Sequence, residues 1–526
     1  MTTNQPEVCP YSRRTMRKLT PLIILCVLNG CRCFTVMTED AGTDAGTMMM
    51  MMNVDSGTPD SGTPDSGTPD SGTPDAGAPD SGTPDAGLPD AGPMMCSLAY
   101  DGGFSIPLFF TASDGLIGNE LWATDGTTAG TVNVFDLNLG PADSYIQRPV
   151  RLGNTILFRA DDVAHGAELW RTDGTVLGTF LVKDINPGTN GSRISNMIAS
   201  GCLAYFAADD GVNGTELWVS DGTDQGTRML KDIRGGGNSD PNYLAFLGDR
   251  FFFRANDGDA GEELWSSDGT TNGTQLLVDL VPGSQGSFPD GLTVLGNRLW
   301  FSANGRPWTS DGTATGTVLV NDGGFTSGGG FTLMNGFIYL YANDGVLGTE
   351  LWRVSLTGQS PQLIADVNDA GGSFPSRLTA ANDMLFFNAD DGSGLGAEPY
   401  VFKPGPGVEF LGDLRPGMIG AQAGNFTAFN GVTFFSASGP DGTELWRTDG
   451  TAAGTAQFQD IQPGSAGGNP SPIIAHRGAL YFPANDGTNG TELWKLEPDA
   501  GAAFLLKDIN TTTSNASSSP QGFFRF

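Results

Sequence analysis

Carboxylates are the side chains with which this 526-residue chain could do chemistry, since it holds 59 aspartates and glutamates. Paired carboxylates carry out glycoside hydrolysis, and carboxylates that cluster in loops suit calcium. Loops such as Asp161-Asp162, Asp209-Asp210-Gly211 and Asp390-Asp391-Gly392 each precede a glutamate by six or seven residues. None of these loops has the alternating ligand spacing of an EF-hand. We therefore expect no cofactor and no metal, and calcium at these loops is the alternative.

The residues and motifs that other kinds of catalysis require are scarce in this sequence. The chain has two histidines, His165 and His476, which we interpret as surface or loop residues. It contains no Gly-x-Ser-x-Gly, phosphate-loop or His-Glu-x-x-His motif. The net charge of −32 and the isoelectric point near 4.1 disfavour a nucleic-acid-binding surface. We assign no catalytic residue and expect a protein that is not an enzyme.

The first 31 residues predict that the protein is exported and attached to a membrane. Basic residues at positions 13, 14, 17 and 18 precede the apolar run of residues 22–28, which is far shorter than the roughly 20 residues that span a bilayer. The run ends in Leu28-Asn29-Gly30-Cys31, which resembles the lipobox of bacterial lipoproteins. This resemblance implies that Cys31 carries a lipid, and Arg32 implies the outer membrane. An ordinary cleaved signal peptide is the alternative.

A spacer is predicted over residues 32–98. From Asp55 to Pro93 the chain repeats Asp-Ser-Gly-Thr-Pro or Asp-Ala-Gly-x-Pro every five residues. Regular proline blocks helices and sheets, and regular aspartate adds self-repulsion, so we expect a disordered, extended stalk. The sequence leaves open the pairing of Cys33, Cys96 and Cys202.

Residues 99–526 contain one unit nine times. Glu-Leu-Trp or a variant recurs every 43 to 48 residues and ends at Trp122, Trp170, Trp218, Trp265, Trp308, Trp352, Tyr400, Trp446 and Trp494. The segment Glu168-Leu-Trp-Arg-Thr-Asp-Gly-Thr175 resembles the motif of the bacterial ELWxxDGT repeat family. That resemblance implies a secreted or surface protein and brings no assigned activity.

Each unit is predicted to form four short strands separated by Asp-Gly turns, which is the size of a propeller blade. We therefore expect an all-β fold, a closed β-propeller of about nine four-stranded blades. The first unit lacks its opening strand, and Ser518–Phe526 aligns with the unit-opening residues 239–246. The last strand should thus complete the first blade. An open β superhelix is the alternative.

Groups that recur in every unit are expected to hold the unit together, whereas catalysis needs a group once. We therefore interpret the repeated glutamate and tryptophan as structural. We expect hydroxyls and amides of the Asp-Gly-Thr-x-x-Gly-Thr loop to bind the buried glutamate. Departures from the repeat are better places for a site, for example Glu398-Pro399-Tyr400 and Arg306-Pro307-Trp308. Pro307 should perturb its strand or place it at a sheet edge.

The function predicted from these features is a lipid-anchored β-propeller that acts as a binding or scaffold module for a protein or a glycan. We expect it at the outer membrane or cell surface of a Gram-negative bacterium. The alternative is a propeller hydrolase or lyase that acts on polysaccharide with central carboxylates.

Overall fold

The repeated unit folds as a four-stranded antiparallel sheet, and nine such sheets form the body of the protein. A computed structural model describes residues 107–525. The predicted signal peptide, the lipidated Cys31 and the spacer of residues 32–98 lie outside the described residues. Within residues 107–525 there is no α-helix, and one 3-10 turn spans Val320–Gly323. No helix in this part of the chain is long and apolar enough to cross a membrane.

Every sheet is one blade, and its strands lie side by side from an inner to an outer strand. We number the blades in chain order, starting with the one that contains Leu108. The inner strands of blades 2 to 9 and then of blade 1 are Gln147–Leu152, Ser195–Ser200, Asn242–Leu247, Asp290–Leu295, Ser327–Met334, Ser376–Ala381, Gly424–Phe429, Ile474–His476 and Gln521–Arg525. The second strands of blades 1 to 9 are Leu108–Ala112, Thr155–Asp161, Leu203–Asp209, Arg250–Asn256, Arg298–Ala303, Phe337–Asn343, Met384–Ala389, Val432–Gly439 and Ala479–Asn485.

The third strand of each blade carries the Glu-Leu-Trp motif, and the short outer strand follows it. The third strands are Glu120–Thr124, Ala167–Thr172, Thr215–Ser220, Glu262–Ser267, Arg306–Ser310, Thr349–Ser355, Glu398–Lys403, Gly442–Thr448 and Thr491–Leu496. The outer strands are Val132–Phe135, Phe180–Lys183, Arg228–Lys231, Gln275–Val278, Val318–Leu319, Gln362–Ala365, Gly407–Phe410, Ala456–Gln459 and Phe504–Lys507.

The inner strands surround the axis of the ring. From blade 2 to blade 9 each inner strand contacts the inner strand of the next blade. All inner strands run in the same direction, so their first residues meet at one face. We call it the crossover face, because the connection from each outer strand to the next inner strand reaches it. The opposite face, with the tight turns between inner and second strands, is the hairpin face.

The hydrophobic core lies between neighbouring blades, in one cluster for each of the nine pairs. Side chains alternate along a strand, so one motif serves two clusters. Trp170 packs against Phe109 and Leu121 of blade 1, whereas Leu169 packs with Trp218 of blade 3. The Glu-Leu-Trp strand therefore ties each blade to both of its neighbours.

The ring closes as the sequence predicts. The last strand, Gln521–Arg525, pairs antiparallel with Leu108–Ala112 of blade 1. Phe524 stacks on Phe109 with ring centroids 5.4 Å apart, and Phe523 stacks on Phe110 at 5.6 Å. Both terminal rings are half-buried. The prediction of nine blades closed by the final strand is confirmed.

Blade 5 shows how the fold accommodates Pro307, for which the sequence predicts a perturbed strand or an edge position. Its strand Arg306–Ser310 is the third of four strands and lies inside the sheet, not at an edge. The outer strand Val318–Leu319 has only two residues and pairs with Trp308 and Thr309. It ends before it reaches Pro307, so no neighbour requires the hydrogen bond that proline lacks.

Candidate functional site

The buried glutamate of each motif holds the connection between two blades. Glu216 is fully buried on the third strand of blade 3. Its Oε2 accepts hydrogen bonds from the Ile233 amide at 2.7 Å and the Ser239 hydroxyl at 2.6 Å, and Oε1 accepts the Ser239 amide at 3.0 Å. The Ser239 carbonyl then accepts the amide of Asn256 in blade 4 at 2.9 Å. We call this arrangement the Glu–Ser bridge.

The bridge recurs around the ring. In all eight blades that carry the glutamate, an amide just after the outer strand donates to its carboxylate. A serine hydroxyl also donates to the carboxylate from Ser239, Ser287, Ser373 and Ser518. The equivalent hydroxyls of Ser144 and Ser192 donate to the carbonyls of Asn119 and Ala167. In blade 5 Arg306 replaces the glutamate, and its Nε donates to the Phe325 carbonyl at 3.1 Å. The interpretation of the glutamate as structural is consistent with these contacts.

The expected donors to this carboxylate were wrong. The Asp-Gly-Thr-x-x-Gly-Thr loop bonds to itself on the hairpin face. The hydroxyls of Thr172 and Thr179 lie 2.7 Å apart, Asp173 accepts the amide and hydroxyl of Thr175, and the Thr175 carbonyl accepts the Thr179 hydroxyl. These groups serve the turn, so the glutamate draws its donors from the crossover connection instead.

Burial raises the pKa of the bridge glutamates, while the hydrogen bonds oppose that effect. The pKa of Glu120, Glu168 and Glu398 rises to about 7. Burial likewise raises the pKa of the other five, which are Glu216, Glu263, Glu350, Glu444 and Glu492. These carboxyls are sealed between blades, so their shifted pKa bears on stability and not on a solvent-facing reaction.

The residue after each bridge position projects at the crossover face. In eight blades it has a left-handed backbone with φ between 45° and 52°, and it is exposed. We call this set the rim: Tyr145, Arg193, Asp240, Phe288, Phe374, Gln422, Asn469 and Ser519. Three of them are large aromatic side chains with 59%, 52% and 67% exposure for Tyr145, Phe288 and Phe374. Aromatic residues seldom adopt this backbone, and strain of this kind is concentrated at functional sites.

A second left-handed position lies three residues further, within the inner strand. A β-bulge or irregular register occurs there, and φ lies between 53° and 68°. Its occupants are Arg148, Asn196, Tyr243, Gly291, Gly330, Arg377, Asn425 and Gly522. Glycine and asparagine suit this backbone, whereas two arginines and a tyrosine do not. Both sets differ from blade to blade on a backbone that repeats, which distinguishes them from the structural motif.

The inner strands are cationic although the protein is acidic. They carry four arginines and a single carboxylate, Asp290, whose pKa burial raises against the opposing charge of Arg254. Arg148 and Arg377 lie at the crossover end. The hydrolase alternative needs two facing carboxylates. Among the described inner strands and the rim, the carboxylate pair of such a hydrolase would have to be Asp290 and Asp240.

The acidic turns between second and third strands use their carboxylates locally. Asp210 Oδ1 accepts the amides of Val212 and Asn213, and Asp162 Oδ1 accepts the His165 amide. Among residues 107–525, no group of three or more histidine, cysteine or acidic side chains could hold a metal ion. His165 lies in such a turn, 2.6 Å from Asp162. Calcium at these turns stays an untested alternative.

The remaining residues that depart from the repeat make contacts within the folded body. Tyr400 replaces a tryptophan, and burial raises the pKa of its hydroxyl, with Asp391 nearby acting in the same direction. Cys202 belongs to a disulfide, and every other cysteine precedes the described residues. His476 ends an inner strand and packs edge-on against Tyr481. None of these residues lies at the rim.

The solved structures to which this chain is similar match it at low sequence identity and low TM-score. No protein-family model matches the sequence, and no curated protein does. Prolyl endopeptidases are similar at 12% identity and a TM-score of 0.39, and the match covers 69% of this chain and 49% of theirs. The chain thus spans about half the length of those enzymes. A puromycin-hydrolyzing peptidase of Mycobacterium tuberculosis matches at 12% identity and a TM-score of 0.35, over 66% of this chain and 59% of that protein. The computationally designed Ika8 protein matches at 17% identity and a TM-score of 0.34, over 60% of this chain and 86% of that protein. The fold and its repeats define a nine-bladed β-propeller.

Proposed function

We propose that this protein is a lipid-anchored, surface-exposed binding module that captures a glycan or a protein at the rim. The observation that carries this proposal is the contrast between an invariant backbone and its variable side chains. The same left-handed backbone follows the bridge position in blade after blade, including the blades with alanine or glycine in place of the serine. Onto it the chain places tyrosine, arginine, aspartate, phenylalanine, glutamine, asparagine and serine in turn.

The rim has the composition of a recognition surface. Aromatic and arginine side chains supply most of the affinity in binding interfaces. Here they converge on one end of the axis, on short connections held rigidly at both ends. Loops that a stable scaffold positions are the usual location of binding residues. The predicted anchor at Cys31 and the spacer of residues 32–98 would let this face reach a partner beyond the membrane.

The test removes the aromatic rim and leaves its backbone unchanged. Asn469 occupies the same position in the connection to blade 9 with φ of 52°. The triple variant Tyr145→Asn, Phe288→Asn and Phe374→Asn should therefore fold. We expect the full chain to bind members of a glycan array or a peptide array and the variant to lose those signals.

The control replaces three exposed apolar side chains far from the axis. Leu177, Phe180 and Phe504 lie in or beside outer strands and are 93%, 43% and 43% exposed. Their substitution by asparagine removes similar apolar area and should leave binding unchanged. Equal binding by the rim variant and the wild-type protein would contradict the proposal.

A further inference from the structure

Arg148 is the most unusual residue at the crossover end of the axis. It is exposed and has φ of 56° at the bulge position of blade 2. Five other blades place glycine or asparagine there, which adopt this backbone at little cost. Among the residues that the structure describes, nothing forms a hydrogen bond or an ion pair with the Arg148 guanidinium. Residues 107–525 thus contain a strained arginine to which they offer no hydrogen-bond or ion-pair partner.

The register of the bulge places Arg148 against the connection into blade 3. In blade 7 the equivalent Arg377 donates to the carbonyl of the next rim residue, Gln422, at 2.6 Å. In blade 3 the equivalent Asn196 donates to the carbonyl of Pro241, next to the rim residue Asp240. By the same register Arg148 faces the connection that carries Arg193.

Two other arginines belong to the same part of the fold, Arg159 opposite Gln147 on the second strand of blade 2 and Arg193 on the connection into blade 3. Arg159 is half-buried, and its Nε has no hydrogen-bond partner in the described part of the chain. Burial lowers the pKa of Arg159, the charges of Asp161 and Glu168 oppose that effect, and the neighbouring charge of Arg148 lowers it further. The Arg193 side chain is 70% exposed, although one guanidinium nitrogen lies 3.5 Å from Asp209.

We call Arg148, Arg159 and Arg193 the arginine cluster, and three carboxylates act on it. The charges of Asp161 and Glu168 act on Arg159 and Asp209 lies near Arg193, whereas no residue within 107–525 forms an ion pair with Arg148. Residues 99–526 contain 22 basic and 47 acidic side chains, so an exposed arginine without a carboxylate partner stands out from its surroundings. Arginine guanidinium groups bind carboxylates through paired hydrogen bonds, which makes the cluster suited to acidic ligands.

We propose that the cluster of Arg148, Arg159 and Arg193, with the exposed ring of Tyr145, binds the carboxylates of an acidic polysaccharide. This inference rests on the proposed function and names its ligand class. The aromatic rings of the rim stand apart among polar side chains and do not form the continuous apolar core of a protein interface. A uronic acid residue matches this pattern, because its sugar ring offers an apolar C–H face to tyrosine and its carboxylate pairs with arginine.

The experiment measures binding of the full chain to polygalacturonate by affinity electrophoresis and calorimetry. The variant Arg148→Asn carries the residue that blades 3 and 8 have at this position, so its backbone is retained. We expect about a tenfold loss of affinity, the effect of one charge-assisted hydrogen-bonded pair, and a shallower dependence on salt. Tyr145→Asn should also weaken binding. Arg228→Asn removes an equal charge from an exposed outer-strand position and should leave affinity unchanged.

Three results would overturn the inference. The first is no binding of polygalacturonate, or equal binding of its methyl-esterified form, which has the same backbone without the charges. The second is equal affinity of the wild-type and Arg148→Asn proteins. The third is that poly-glutamate binds as tightly with the same dependence on Arg148, which would identify a carboxylate site for acidic peptides. In each case the proposed binding role stands if the aromatic rim variant still loses array ligands.

Discussion

At the scale of single residues, the molecule separates two tasks by backbone position. A buried carboxylate such as Glu216 and the serine that it binds fix the connection between blades. The next residue, Asp240, points outward with a left-handed backbone. In the function that we propose, adjacent positions thus serve stability and recognition, which would explain why one is repeated and the other varies.

Removing one bridge hydroxyl should destabilise the protein measurably. In Ser239→Ala the Glu216 carboxylate loses its 2.6 Å hydroxyl donor in a buried site. A lost hydrogen bond to a charged group costs about 1.5–3 kcal/mol, so we expect the melting temperature to fall by a few degrees. Ala421 occupies the same place before blade 8, so the variant should fold. The exposed Ser465→Ala is the control, and an equal effect of the two substitutions would argue against the bridge.

The predicted anchor depends on a single residue as well. Cys31→Ser should abolish lipidation, because only the thiol accepts the lipid in the lipoproteins that Leu28–Cys31 resembles. We expect the variant to leave the membrane fraction, as measured by fractionation and by mass spectrometry of the mature N-terminus. An unlipidated N-terminus other than Cys31 in the wild-type protein would refute the anchor.

At the scale of the strands and their connections, eight buried carboxyls make stability depend on pH. Their pKa is raised in the folded protein, to about 7 in three cases, against about 4.3 in an unfolded chain. Between these values the native state holds more protons, so the free energy of unfolding should decrease as pH rises from about 4.5 to 7. The turn aspartates, such as Asp449, have a lowered pKa, so their titration changes stability only below this pH range.

Thermal melts between pH 5 and pH 8 measure this dependence. We expect the melting temperature to fall steadily across the range and to fall less in Glu168→Gln, which lacks one titrating carboxyl. A melting temperature that stays constant or rises with pH would contradict the assignment of these carboxyls as buried and proton-binding.

The sequence predicts the strands well because the repeat marks them nine times. The spacing of the Asp-Gly turns and of the Glu-Leu-Trp strand gives the size of a blade. The extra segment Ser518–Phe526 predicts that the last strand completes blade 1 and closes the ring. The rim was not predicted, although its pattern is present as a variable residue between serine and proline at Asp240, Phe288 and Phe374. Phenylalanine gives no local signal of a left-handed backbone, which arises only once the Glu–Ser bridge fixes the connection. Of the two alternatives predicted for Pro307, the edge position is wrong, and the perturbation consists of an outer strand with only two residues.

At the scale of the whole molecule, the candidate site exists only because the ring is closed. Closure brings the ends of nine inner strands, distant in sequence, to one axis. It depends on the same bridge as every other connection, because the Ser518 hydroxyl donates to Glu492 at 2.6 Å and the Ser518 carbonyl accepts the Ser113 amide at 3.0 Å. An open superhelix would leave Tyr145 and Phe374 far apart.

Truncation after Ser517 tests this closure most directly. The truncated protein loses the bridge to Glu492 and the stacks of Phe523 and Phe524, each worth up to about 1.5–3 kcal/mol for a fully buried ring, and it exposes a strand edge in blade 1. We expect thermal melting and light scattering to show a lower melting temperature and self-association, both reversed by an added peptide of residues 518–526. A truncated protein that stays monomeric with an unchanged melting temperature would contradict the closed nine-bladed ring.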